Sequence, residues 1–260
     1  MAREEYLKEE EFSPLKSILS LMSFSTIFPI NIFTSMEYLT KLTWFWPFIH
    51  LFVGILAAVC GFICHSLLQL DLLLSSAIIY AFLMIITGYN HVDGLMDMSD
   101  GVMVHGDASR KISIMKDSSV GTAGIMSAIL VSLIAIAAIS DMLSYNFILG
   151  IIIIEMSSKT SLLTTAITSK AGTGLGSYFI NSLNVGEYML STFVVAVISY
   201  LLGGVTGLLG VLGAIISGAI MSIIAKKNFG IANGDVLGAS NEVGRVISAI
   251  FICIGLFYFM

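Results

Sequence analysis

The sequence predicts an all-α, polytopic membrane protein, one domain over residues 1–260, with about seven transmembrane helices and an N-terminal interfacial helix. Three observations carry that prediction. Of the 260 residues, 57% are apolar and only 11% are charged, and mean hydropathy is +0.97. Ordinary soluble domains carry about 25% charged residues, and their interiors cannot hide this much apolar surface. Seven spans of roughly 20 residues would use about 140, leaving about 120 for loops and ends. A net charge of −5 argues against a nucleic-acid partner.

The elements follow in chain order. The first sixteen residues, MAREEYLKEEEFSPLK, are acid-rich and do not resemble a signal peptide. Residues 15–35 are apolar but broken by Ser, Thr, Asn and Pro29, as in an interfacial or re-entrant helix. Apolar runs then place spans near 43–64, 72–90, 121–140, 146–166, 188–204, 207–225 and 243–259. Cys60, Cys64 and Cys253 lie inside these runs and read as small buried residues rather than metal ligands. The Gly203, Gly204, Gly207, Gly210 and Gly213 series suits close helix packing in lipid. Three polar segments separate spans, at 91–120, 167–187 and 226–242.

The bases set the orientation. Arg3, Lys8, Lys16 and Lys41 precede the first span, and Arg110, Lys111 and Lys116 follow the second. Lys159 and Lys170 flank the end of the fourth, while Lys226, Lys227 and Arg245 bracket the last connection. With seven spans all of these fall on one side. The positive-inside rule puts that side, and the three polar segments, in the cytoplasm of a cell-membrane protein.

The most informative stretch is His91-Val-Asp93-Gly-Leu-Met-Asp97-Met-Ser-Asp100-Gly101. Asp93, Asp97 and Asp100 stand at i, i+4 and i+7, so a helix puts them on one face. Three carboxylates there repel one another unless a cation sits among them. Hard oxygen ligands suit Mg²⁺, shared with substrate phosphates. Arg110 and Lys116 follow within twenty residues, as needed to clamp a diphosphate and neutralise a departing phosphate. Gly121, Thr122 and Gly124 open the next span, where backbone N–H groups can meet an anion. The 233–242 segment brings Asn233, Asp235, Asn241 and Glu242, as further metal or substrate ligands or as a loop with a helix N-cap. Glu155 and Lys159, at i, i+4, read equally as an ion pair or as part of a polar wall. His91 is a candidate base or ligand, or is simply hydrogen-bonded beside a carboxylate.

Two blocks together resemble a known family. His91-x-Asp93-Gly-Leu-x-Asp97-x-x-Asp100-Gly101, followed by Met115-Lys116-Asp117-Ser118-x-x-Gly121-Thr122-x-Gly124, is similar to the signature of the cobalamin synthases. Gly234-Asp235-x-x-Gly238-Ala239-x-Asn241-Glu242, Phe24-Ser-Thr26-Ile-Phe28-Pro29 and Gly174-Leu175-Gly176 also resemble that family, and the likeness spans nearly the whole chain. Ile27 and Lys159 depart from it, standing where the family usually has Arg. The resemblance implies a Mg²⁺-dependent membrane transferase acting in the last assembly stage of vitamin B12. Its substrates would be adenosylcobinamide-GDP and α-ribazole or α-ribazole 5′-phosphate, and GMP would leave. It assigns Asp93, Asp97 and Asp100 to metal and diphosphate, Lys116 to the leaving phosphate, and Asp235 to metal or nucleotide. Asp100 or His91 would be the base. Arg110, Gly121, Thr122, Lys159 and Asn241 complete the expected substrate contacts. Homo-oligomerisation is left open.

Rival readings are weaker. A CDP-alcohol phosphotransferase carries an Ala-Arg pair after the Asp-Gly, and Leu95-Met96 stands here. An intramembrane prenyltransferase wants two Asp-rich motifs, and 233–242 is a poor second copy. An ion-coupled transporter wants acids at the membrane midplane, whereas these cluster at span ends on one side.

Overall fold

The computed structural model describes residues 12–259. The acid-rich start, with Arg3 and Lys8, lies outside the described residues. Those described are almost all helix, with a single isolated bridge between Ala171 and Ala232. The helices are α1 Pro14–Ser25, α2 Met36–Thr40, α3 Trp46–Gly61, α4 Leu72–Ile86, α5 Asn90–Met103, α6 Ala108–Met115, α7 Thr122–Ser144, α8 Gly150–Thr168, α9 Leu175–Ser182, α10 Val185–Asn228 and α11 Gly234–Phe259. A short 3₁₀ turn, Thr43–Phe45, leads into α3, and a widened turn, Phe62–Leu67, prolongs it.

Among the described residues, four stretches are long and apolar enough to cross a bilayer: Thr43–Leu67, α7, α10 and α11. The pair α4 and α5 makes a fifth if counted as one broken span. Helices α3, α4, α7, α10 and α11 leave large apolar side chains exposed, among them Phe52, Leu73, Leu133, Phe193, Ile223 and Phe257. Such surface is unfavourable in water and natural in lipid.

The 44 residues of α10 are two helices in fact. Gly204 has φ 58° and ψ −138°, outside the helical region, which only glycine adopts at low cost. The chain reverses there, so that the carbonyl of Ser199 lies against Gly207. The expected spans 188–204 and 207–225 are the two arms of this hairpin. Helix α4 ends at Ile86, and positive φ angles at Gly88 and Tyr89 turn the chain by 91° into α5. At 14 residues, with its acids, α5 does not cross the bilayer by itself.

Helix α8 is the central pillar. Every residue from Gly150 to Ala166 is buried, and α3, α10 and α11 pack around it. One apolar cluster joins α3, α4, α7, α8, α10 and α11. A second gathers α1, α5, α6, α9 and the other ends of α8, α10 and α11.

Between the two clusters lies a buried ionic network. Arg245 Nε donates to Glu155 Oε1 at 2.6 Å, and its guanidinium also pairs with Glu242. His50 Nδ1 lies 3.2 Å from Glu155 Oε2, and Asn241 Nδ2 donates to Glu242 Oε1 at 2.9 Å. Arg245, Glu155, Glu242 and His50 are each at most 1% exposed.

This network corrects two expectations. Arg245 is an interior cation, not a loop base. Segment 226–242 is mostly helix, because α11 begins at Gly234 and Asn233 Oδ1 accepts from the amide of Val236 at 3.1 Å. Asn241 therefore stands inside the helix rather than capping it. Its polar neighbours tolerate burial because they satisfy one another.

Replacing Arg245 with Ala would strand two buried carboxylates. Thermal or denaturant unfolding in detergent should show a loss of about 3–5 kcal/mol. A loss under about 1 kcal/mol would mean that the pair does not organise the fold.

Candidate active site

The polar segments converge on one cavity of about 640 Å³. Phe24 and Ser25 come from the end of α1 and Trp46 from the start of α3. Asn90 and His91 open α5, Lys116 follows α6, and residues 173–176 precede or start α9. Asn233, Gly234, Asp235, Leu237 and Gly238 supply the opening of α11. A backbone tie builds the last two walls together: Gly172 N donates to Ala232 O, and Ala232 N to Lys170 O, each at 2.8 Å. Helix α5 reaches α11 because residue 94 is glycine. A Cβ there would sit 2.9 Å from the carbonyl oxygen of Asp235.

Several expected residues meet here. His91, Lys116 and Asp235 line the cavity. Asp235 is the sole carboxylate among the lining residues, and Asn233 Nδ2 donates to its Oδ2 at 2.8 Å. Lys159 lies behind that wall, with Nζ 2.8 Å from His91 Nε2 and 5.0 Å from the centroid of the Trp46 ring. It does not pair with Glu155, whose oxygens go to Arg245 and His50. Lys159 is thus part of a polar wall and not half of a neutralising pair.

The acidic face of α5 forms as its spacing requires. Asp93 is exposed, while Asp97 and Asp100 are half-buried. Burial first, then the charges of Asp93, Asp235 and Asp100, push the Asp97 carboxyl up to about 6. These four acids therefore form one electrostatic group beside the cavity. Among the described residues no three His, Cys, Asp or Glu side chains are already arranged to hold a metal. The donor chemistry fits a hard divalent cation, since clustered carboxylates that disfavour each other's ionisation are relieved by one.

Asp100 has a more structural place than expected. Its Oδ2 accepts from the amide of Gly121 at 2.7 Å and its Oδ1 from that of Gly124 at 2.8 Å. The amides expected to meet an anion at the start of α7 are thus occupied by this side chain. Gly121 and Thr122 do not line the cavity, nor does Arg110, which is exposed on α6. Asn241 is buried in the ionic network.

Trp46, Phe179, Asn90 and Thr173 line the cavity and were not anticipated. His50 and Arg245 belong to its support. The Glu242–Arg245 spacing of i, i+3 was the one available sign of that network.

Comparison with known proteins places the chain. The family profile described as Cobalamin-5-phosphate synthase matches residues 17–253. The chain belongs to this family. Proteins named "Adenosylcobinamide-GDP ribazoletransferase" are similar along most of its length. That of Methanosarcina mazei is 31% identical, covering 94% of each chain. That of Pyrococcus abyssi is 34% identical over 74% of this chain and 82% of its own. No solved structure matches.

Asp100 anchors α5 to α7 in this member of the cobalamin-5-phosphate synthases. Asp100→Ala leaves two partly buried amides without acceptors and should cost about 1–3 kcal/mol in thermal unfolding. Asp100→Asn keeps one acceptor and should lose less. Equal stability of Asp100→Ala and wild type would contradict the anchoring role.

Proposed function

We propose that this chain is an adenosylcobinamide-GDP ribazoletransferase of the last assembly stage of cobalamin. A ribose hydroxyl of α-ribazole, or of its 5′-phosphate, attacks the phosphorus bonded to cobinamide, and GMP leaves. The convergence of His91, Lys116 and Asp235 in one cavity, beside the acidic face of α5, carries this reading. The bases around these segments favour a cytoplasmic site in the cell membrane.

Asp93 and Asp97, with the outer lone pairs of Asp100, are the residues that would hold Mg²⁺. When bound, it would supply charge neutralisation to the diphosphate. Lys116 stands at the cavity wall to neutralise the phosphate that departs. The proton of the attacking hydroxyl goes to Asp235, the carboxylate that lines the cavity. Asp100 and His91 are less suited to that task. Both oxygens of Asp100 accept amide hydrogens, and Nε2 of His91 is engaged by Lys159.

Purified protein in detergent, given adenosylcobinamide-GDP and α-ribazole, should release GMP. Asp97→Asn and Lys116→Ala should each lower kcat by about a hundredfold or more, the scale of losing one charge-stabilising group. Full activity in either variant would remove that residue from the mechanism.

The cation has a separate readout. Because the folded Asp97 carboxyl is raised from 3.8 to about 6, its contribution to stability is lost as pH rises through that window. A bound cation removes this penalty. Mg²⁺ should therefore raise Tm more at about pH 7.5 than at about pH 5, and Asp97→Asn should erase the difference. An equal shift at both pH values would contradict the assignment.

A further inference from the structure

Lys116 reaches the cavity wall from a small support. It caps the C-terminus of α6, a helix of eight residues in which Met115 alone is fully buried. Wherever α6 goes, Lys116 goes with it.

Two contacts hold α6 in place. The first is apolar. Met115 lies against Gly101 of α5, where a Cβ would sit 2.6 Å from Met115 Cγ. Contacts of this kind have no direction, so they fix closeness but not orientation.

The second contact is polar and directional. Lys111 Nζ donates to Asn228 Oδ1 at 2.6 Å and to Val102 O at 3.4 Å. Asn228 Nδ2 donates to Ile224 O at 2.9 Å, one turn back in α10, so the amide oxygen is the atom left for the lysine. Both residues are partly buried. Among the described residues no other side chain of α6 hydrogen-bonds beyond the helix and its cap Asp107. A lysine that served only to solvate α6 would keep its ammonium in water. This one turns to a neutral amide, at a cost in side-chain entropy.

The partner's position gives the bond its consequence. Asn228 ends α10, and the chain then passes through the backbone tie at Ala232 into the cavity wall at Asn233 and Asp235. Lys116 follows Lys111 by five residues, and Asp235 follows Asn228 by seven. One hydrogen bond therefore joins the element that carries the cavity's cation to the element that leads to its carboxylate.

We infer that the Lys111–Asn228 hydrogen bond is a positioning latch that fixes Lys116 relative to Asp235 in the cavity wall. Neither Lys111 nor Asn228 lines the cavity, so both act through the residues they place. Resting on the proposed transferase reading, in which Lys116 meets the departing phosphate, the latch adds two positioning residues that lie 117 positions apart.

Steady-state GMP release from adenosylcobinamide-GDP and α-ribazole tests the latch, with Tm as the check on folding. Lys111→Met should lower kcat about tenfold or more, because small displacements of a charge-stabilising group are costly, while the KM for α-ribazole stays unchanged. Asn228→Leu should match it. The double variant should be no worse than either single one, as for two halves of one bond. Lys111→Arg keeps a donor and Asn228→Asp an acceptor, and each should retain most of kcat. A purely structural role would lower Tm and leave the kcat of the folded protein as it was, which would overturn the latch. So would losses that multiply in the double variant, or a rise in the KM for α-ribazole at unchanged kcat. Absence of GMP release by wild type would bring down the transferase reading and the latch together. An active, Lys116-dependent enzyme that is indifferent to Lys111→Met would defeat the latch alone.

Discussion

The double engagement of Arg245 is the constraint on which the rest depends. One guanidinium on α11 takes Glu155 from α8 and Glu242 from its own helix, all three buried. An unpaired charge at that depth would be prohibitive, so the helices can meet in one register only. His50 joins from α3 through Glu155. Three helices are thereby locked at the level where the cavity begins. Apolar packing alone would let them slide, because lipid-facing and interior side chains here are chemically alike.

The network also frees Lys159. With both carboxylates given to Arg245, the ammonium turns to His91 Nε2 and to the face of Trp46. Those two residues both line the cavity, one polar and one aromatic. A buried structural device is thus continuous with the surface that meets substrate, and a change at position 159 is felt at both. Lysine meets both as a compact point charge, where a guanidinium would present a planar fork.

Much of this was legible in the sequence, and the exceptions have physical causes. The i, i+4, i+7 spacing of Asp93, Asp97 and Asp100 announced the acidic face, because helical periodicity is local. The seven apolar runs all became helices, and the break at Gly204 fell where two runs met. The start of α11 was misplaced because Asp235, Asn241, Glu242 and Arg245 look like loop residues until their partners are known. Those partners lie 90 residues away in the case of Glu155 and Arg245. The capping of α7 by Asp100 was hidden for the same reason, since it joins residues 21 and 24 positions apart. Trp46 and Phe179, which line the cavity from α3 and α9, had no local signal at all, whereas Phe24 stood in a family-like segment.

The central claim is that these charged groups direct a ribose hydroxyl onto the phosphorus attached to cobinamide, so that GMP is the leaving group. The most direct test uses α-ribazole labelled with oxygen-18 in its ribose hydroxyls, with the products followed by ³¹P NMR isotope shifts and mass spectrometry. The account predicts the label in the phosphodiester bridge of the corrinoid product and unlabelled GMP. Label carried into the guanine nucleotide would contradict it.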